Sequence, residues 1–259
     1  MSSGQRRGSN GWTATSLVAT PPGRFFCQGL YADYIATQQL RLETPGQYVD
    51  RTTWRTIVDL AHHAVTQYLY GPSITETRDN TAGFTDFCSY LARRLDEAAH
   101  NRLICPQIHH GNVTELRQPS ILQPVTDRPT SIPRQAFWTA DPIGSAEDSW
   151  TLYDEELLGS HRYELRFAQA DVTAIVIDSA DSWARLVRAF PHKVSGISYP
   201  HWAAISEEYD AVYLTTRGLL TAHPPTLPAD IEGVAQWSAV STAWLRLPES
   251  AQLIRADAK

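Results

Sequence analysis

The feature that most limits what this chain can fold into is a change of hydrophobic period near Cys105. Before it, apolar residues recur every three or four positions; after it, they tend to alternate. The first spacing lines one face of a helix, the second one face of a strand. A chain that changes period in this way predicts an α+β protein with a helical first part and a mixed α/β second part.

Residues 50–70 predict a helix, because Trp54, Ile57, Val58, Ala61, Val65, Tyr68 and Leu69 share one face. Asp50 stands at an N-cap position, and Gly71-Pro72 ends the segment. Residues 84–103 repeat the pattern with Phe84, Phe87, Cys88, Leu91, Leu95 and Ala98, and a weaker third helix is expected from Leu30 to Leu42. Residues 1–23, rich in Ser, Gly, Thr and Pro, predict a flexible tail. Pro119, Pro124, Pro129 and Pro133 make 117–133 a loop or linker, since proline lacks an N–H and disfavours helix before it. The expected organisation is a tail (1–23), a helical region (24–105) and an α/β domain (106–259).

In the second part, 134–140 and 162–168 read as strands, the latter alternating Tyr163, Leu165 and Phe167 with Glu164 and Arg166. Residues 172–178 are nearly all apolar and β-branched, which predicts a central strand. Ser179 is placed to cap a short helix carrying Trp183, Leu186, Val187 and Phe190. Residues 201–209 form another short helix, and 210–216 and 241–247 are the last two strands.

The 259 residues are 42% hydrophobic and 19% charged, an ordinary globular balance. A net charge of −6 argues against duplex nucleic acid as a standing partner. The cations are almost all Arg, which suits phosphate and carboxylate, although a skewed genomic base composition accounts for the same bias. Cys27, Cys88 and Cys105 are far apart and odd in number, so reduced thiols in a cytoplasmic protein are expected. No run of about 18 apolar residues suggests a membrane partner. The N-terminus lacks the apolar stretch of a secretory signal, which leaves only signal-less export as a route out. Motifs for dinucleotide folds, P-loops, serine hydrolases and zinc proteases are absent. His62 and His63 lie about 100° apart on a helix and cannot face one metal. Asp154-Glu155-Glu156 reads as a solvated acidic loop.

Four segments could carry chemistry. His109-His110-Gly111 sets a polar ring beside a backbone that a ligand can approach. Phe137-Trp138-Thr139 offers an aromatic face and a hydroxyl. His201 to Leu214 is a short amphipathic helix running into a strand, with Trp202, Ile205 and Tyr209 inward and Glu207 and Glu208 toward water. Gln236 to Leu245 is a late strand with hydroxyls on both faces. Each also fits an ordinary role: loop histidines, core aromatics, a helix that only builds the fold.

Taken in order, these segments resemble the catalytic domain of bacterial mono-ADP-ribosyltransferase toxins and effectors. The Phe-Trp-Thr strand is similar to the family's aromatic-Ser/Thr strand, and residues 202–212 to its tryptophan helix followed by a Tyr-Asp strand. Residues 237–245 are similar to its closing strand, and His110-Gly111 to its first-strand His-Gly. The likeness spans roughly 106–247. It implies a mixed, mainly antiparallel two-sheet domain that binds NAD as substrate in a cleft between the sheets. It would transfer ADP-ribose, as a glycosyltransferase-class enzyme, to an unknown macromolecular acceptor, or hydrolyse NAD. The cofactor-binding residues it implies are His110, Gly111, Phe137, Trp138, Thr139, Ser241 and Thr242. The family's acid, a Glu before Ser-Thr that steadies the ribosyl cation, is replaced here by Val240. Another carboxylate would have to serve, from Glu207, Glu208, Asp210 or Glu249, with Glu208 favoured because it adjoins Tyr209-Asp210. Alternatively the domain binds without efficient turnover, as a binding or immunity module, or the motifs belong to an unrelated α+β protein.

Overall fold

The computed structural model describes residues 13–38, 41–71, 82–97, 101–113, 115–122, 129–144, 146–154, 156–157 and 161–256. Among these residues five helices come first: α1 (Ala14–Val18), α2 (Pro21–Gln38), α3 (Pro45–Arg51), α4 (Trp54–Tyr70) and α5 (Ala82–Leu95). Threonines set three of the starts. Thr13, Thr44 and Thr53 each accept a backbone N–H from the first turn, and Thr44 with Gln47 forms a reciprocal capping box. The expected tail is therefore wrong from residue 13 onward, because Thr13 caps a turn that buries Leu17; residues 1–12 lie outside the described residues. Asp50 is not a cap either. It sits inside α3, and Thr53 takes that role for α4. The helix expected from Leu30 opens earlier, on Pro21-Pro22, where missing amide hydrogens cost nothing. The helix expected to reach residue 103 stops at Leu95.

Among the described residues the second part has nine strands: β1 (Gln107–His110), β2 (Phe137–Thr139), β3 (Arg162–Arg166), β4 (Ala174–Ile177), β5 (Pro191–Val194), β6 (Ile197–Pro200), β7 (Ala211–Leu214), β8 (Ser241–Trp244) and β9 (Gln252–Arg255). Four helices lie among them: α6 (Ser149–Tyr153), α7 (Ala180–Ala189), α8 (Trp202–Glu208) and α9 (Thr216–Thr221). The class is α+β, with three sheets among the described residues rather than two: β1-β3-β9, β2-β8-β7-β4 and the β5-β6 hairpin. Strand pairing is antiparallel except between β4 and β7, which the α7 to α8 crossover makes parallel. The apolar run 172–178 does not occupy a sheet centre. β4 is the edge strand of its sheet, and α7 packs on it.

Register divides the side chains of the four-stranded sheet into two faces. Trp138, Ala243 and Val212 are cross-strand partners, and this row joins the large core built with Leu17, Phe26, Ile57, Val65 and Leu91. One face of the sheet therefore rests on the helical layer. Phe137, Trp244 and Ala211 form the adjacent row and turn the other way. They meet Leu165, Phe167, Leu247 and Leu253 in a small cluster against the three-stranded sheet. The order of layers is helices, four strands, three strands.

α9 fixes how closely helix and sheet approach. A Cβ on Gly218 would lie 2.0 Å from the carbonyl oxygen of Ile177 at the end of β4. Backbone cannot yield as a flexible side chain does. Gly218→Ala should therefore cost at least about 1–3 kcal/mol in chemical denaturation; an unchanged midpoint would show that α9 does not touch the strand.

Candidate functional site

The space between the two larger sheets holds a buried polar layer centred on Gln107, at the start of β1. Its Oε1 accepts from Thr139 Oγ1 at 3.1 Å and Thr242 Oγ1 at 3.0 Å. Its Nε2 donates to Asp141 Oδ1 at 2.8 Å and the Ile104 carbonyl at 3.2 Å. Trp244 Nε1 donates to Thr139 Oγ1 at 2.9 Å, and Tyr213 OH donates to Asp141 Oδ2. Burial pushes the Asp141 carboxyl up, against the hydrogen bonds from Tyr213 and Gln107, with Asp148 adding repulsion. Burial, together with the Asp141 charge and hydrogen bond, also pushes the Tyr213 phenol up. Thr139 and Thr242, expected to meet a cofactor, are fully buried and spend their hydroxyls on Gln107.

The other expected residues divide by the two-residue period of their strands. Trp138 and Ser241 face the helical layer, away from Phe137, Thr139 and Thr242. Trp138 stands edge-on to Trp237 at 5.0 Å, and Trp237 Nε1 donates to Ser241 Oγ at 2.6 Å. Neighbouring strand residues point to opposite faces, so one pocket cannot use both members of each pair. His110 lies with its Nε2 2.8 Å from Asp148 Oδ2, side chains 2% and 0% exposed. Asp148 Oδ1 caps α6 by accepting the N–H groups of Trp150 and Thr151. His110 thus anchors a helix start. The half-buried imidazole is that of His109.

His109 stacks on Phe137, with centroids 4.4 Å apart and planes at 24°. Its Nδ1 lies 2.8 Å from the Trp138 carbonyl, which can only accept, so Nδ1 carries the proton and Nε2 accepts in the neutral ring. Burial holds its pKa below the usual histidine value, keeping the ring neutral near pH 7. Gly111 follows with φ +140°, and a Cβ there would lie 3.5 Å from His109 Nε2. The absent side chain leaves that acceptor open beside the backbone. Cross-strand register continues the row through Tyr163 to the exposed Arg255, whose Nη2 is 3.0 Å from His161 Nδ1. Aromatic face, neutral acceptor and guanidinium therefore follow one another along the three-stranded sheet.

The carboxylates stand elsewhere. Glu208, the expected catalytic acid, is exposed at the end of α8, which leads into β7, and β8 separates β7 from β2. Glu207 and Glu249 are also exposed. Asp210 is buried, pairing with Arg246 Nε at 2.6 Å and accepting from the Thr173 N–H at 2.8 Å. Val240 lies in the large core. Its N–H donates to Nε2 of His62 on α4 at 3.1 Å, so the helical layer closes over this residue.

Sequence reasoning missed Gln107, His109 as distinct from His110, Arg255 and His62. The alternation of His109 and His110 was a usable signal; the partners of Gln107 and His62 depend on tertiary pairing. Among the described residues no group of three or more His, Cys, Asp or Glu side chains could hold a metal ion, and no helix is long and apolar enough to cross a membrane. No protein-family model, curated protein or solved structure matches the chain.

Two outcomes follow. Gln107→Leu keeps volume but strips partners from two buried hydroxyls and a carboxylate. At about 1–3 kcal/mol per orphaned group, it should cost at least about 3 kcal/mol in denaturant titration; a near-neutral result would mean the layer is wet. Burial also pushes the pKa of His62 down to about 3 and that of His223 down to about 4. Both rings are neutral when folded and take up protons on unfolding. Stability should thus be full above about pH 6.5 and fall as pH drops toward those values, by on the order of 2 kcal/mol at pH 5 from His62. His62→Gln, whose amide oxygen can still accept from Val240, should lose most of that His62 share; an unchanged pH profile contradicts the assignment.

Proposed function

We propose that the chain is an ADP-ribosyltransferase-like module that binds a nicotinamide dinucleotide along the row of Phe137, His109, Tyr163 and Arg255. The observation that carries this reading is the row itself. A flat ring has the Phe137-His109 stack, a ribose hydroxyl or amide N–H has the His109 Nε2 acceptor beside Gly111, and a pyrophosphate has Arg255. Val240 and the placement of the carboxylates favour binding without efficient turnover, since none of Glu207, Glu208, Asp210 and Glu249 is set beside this row to stabilise a ribosyl cation.

A second reading, transfer of ADP-ribose to a macromolecule or hydrolysis of NAD, is favoured by one observation. β1 and β8, which carry two of the segments behind the resemblance, flank β2, β1 through the isolated Ile108–Ala140 bridge and β8 through the β2–β8 pairing.

Calorimetric titration with NAD and ADP-ribose tests the first reading. Saturable binding is expected, weakened about 5- to 100-fold in Phe137→Ala, because stacking on an aromatic side chain contributes about 1–3 kcal/mol. Arg255→Ala should weaken binding and flatten its salt dependence. Absence of binding, or binding indifferent to both changes, counts against it. Nicotinamide release at enzymatic rates would favour the second reading.

A further inference from the structure

Cys27 and Cys88 are buried nucleophiles that the dinucleotide row does not use, 0% and 1% exposed, whereas Cys105 is exposed. They stand where α2 meets α5, two helices whose Cα atoms come within 8 Å of each other. The meeting point is marked by Tyr31, which packs edge-on against Phe84 and Phe87 with both centroids at 5.3 Å. Cys27 lies one turn before Tyr31 on the same face of α2, and Cys88 lies one turn after Phe84 on the same face of α5. Both side chains belong to the large core, and their thiols are hydrogen-bonded to each other. Filling that space would need only a small hydrophobe on each helix. Sulfurs in contact on facing side chains are, in addition, placed for the approach that a disulfide requires.

We propose that Cys27 and Cys88 are a redox site, which a low-molecular-weight disulfide such as glutathione disulfide oxidises to one disulfide stapling α2 to α5. One cysteine thiolate attacks a glutathione sulfur, forming a mixed disulfide and releasing the first glutathione. The other cysteine thiolate attacks the protein sulfur of that mixed disulfide and releases the second. Two electrons pass from protein to glutathione, and the two thiol protons end on the glutathione released. Both sulfurs are buried, and burial pushes the Cys27 thiol up, so exchange proceeds through local opening of the α2–α5 contact. The bond encloses α3 and α4 in one loop and so restricts the unfolded chain. The three thiols expected from their odd number become one pair and one exposed Cys105. The site lies in the helical layer and stands or falls independently of the dinucleotide reading.

Incubating the folded, reduced full chain with glutathione disulfide, at urea concentrations up to the unfolding midpoint, tests this. Remaining thiols are then alkylated in strong denaturant and the peptides mapped by mass spectrometry. Cys105, being exposed, should acquire glutathione first. Cys27 and Cys88 should follow as one cross-linked peptide pair, at a rate that rises with urea as the helices open. Once the urea is removed, the cross-linked chain should melt about 5–15 °C above the reduced chain, and dithiothreitol added in urea should abolish the difference. Cys88→Ala should show no such rise. Cys27 and Cys88 recovered at the unfolding midpoint as thiols or as separate glutathione adducts, either one bridged to Cys105, or a cross-linked chain no more stable than the reduced one would each overturn the proposal. The peptide map of the unsubstituted chain keeps the test decisive should the variant fold poorly.

Discussion

The two larger sheets face each other across Gln107, and the arrangement depends on that one amide being satisfied. Its oxygen holds a hydroxyl from β2 and one from β8, while its nitrogen holds Asp141, which in turn accepts from Tyr213 on β7. Three strands of one sheet are thereby tied to the first strand of the other. An apolar interface tolerates small slips. A network of directional bonds fixes register, and each partner left unpaired carries a desolvation cost. The small cluster around Leu165 and Trp244 supplies apolar contact at the same interface but not its alignment.

This constraint decides what remains for a ligand. The hydroxyls that a cleft would need are used inside, and His110 is used on Asp148. Unspent polar capacity lies at the rim, on His109 and Arg255. The helical layer is part of the site architecture rather than an appendage, because α4 reaches over Val240 and both parts share one core.

Much of the fold was legible from periodicity. Helix and strand spacing located α4, α5, β3, β7 and β8, and Ser179 does cap α7. Other signals were present but unread. Thr44 followed by Gln47 three residues later is a capping box, and Ser195-Gly196, both at positive φ, turns the β5-β6 hairpin. The apolar composition of β4 marked burial without saying whether that came from strands or from a helix. For the site, the segments are legible in the sequence, and so is their divergence: Phe137-Trp138 and Ser241-Thr242 are consecutive strand residues whose side chains point to opposite faces. The roles of Gln107 and His62 could not be read, since each depends on partners brought close only by the fold.

Native-state hydrogen exchange tests the central claim, that the sheets are locked by a closed polar layer. The amides of Thr139, Thr242 and Ala243 should exchange only through global unfolding, with the protection of the core helices α4 and α5. Exchange of these three at a much lower free energy, while α4 stays protected, would show that the sheets part readily and that an open cleft is the better description.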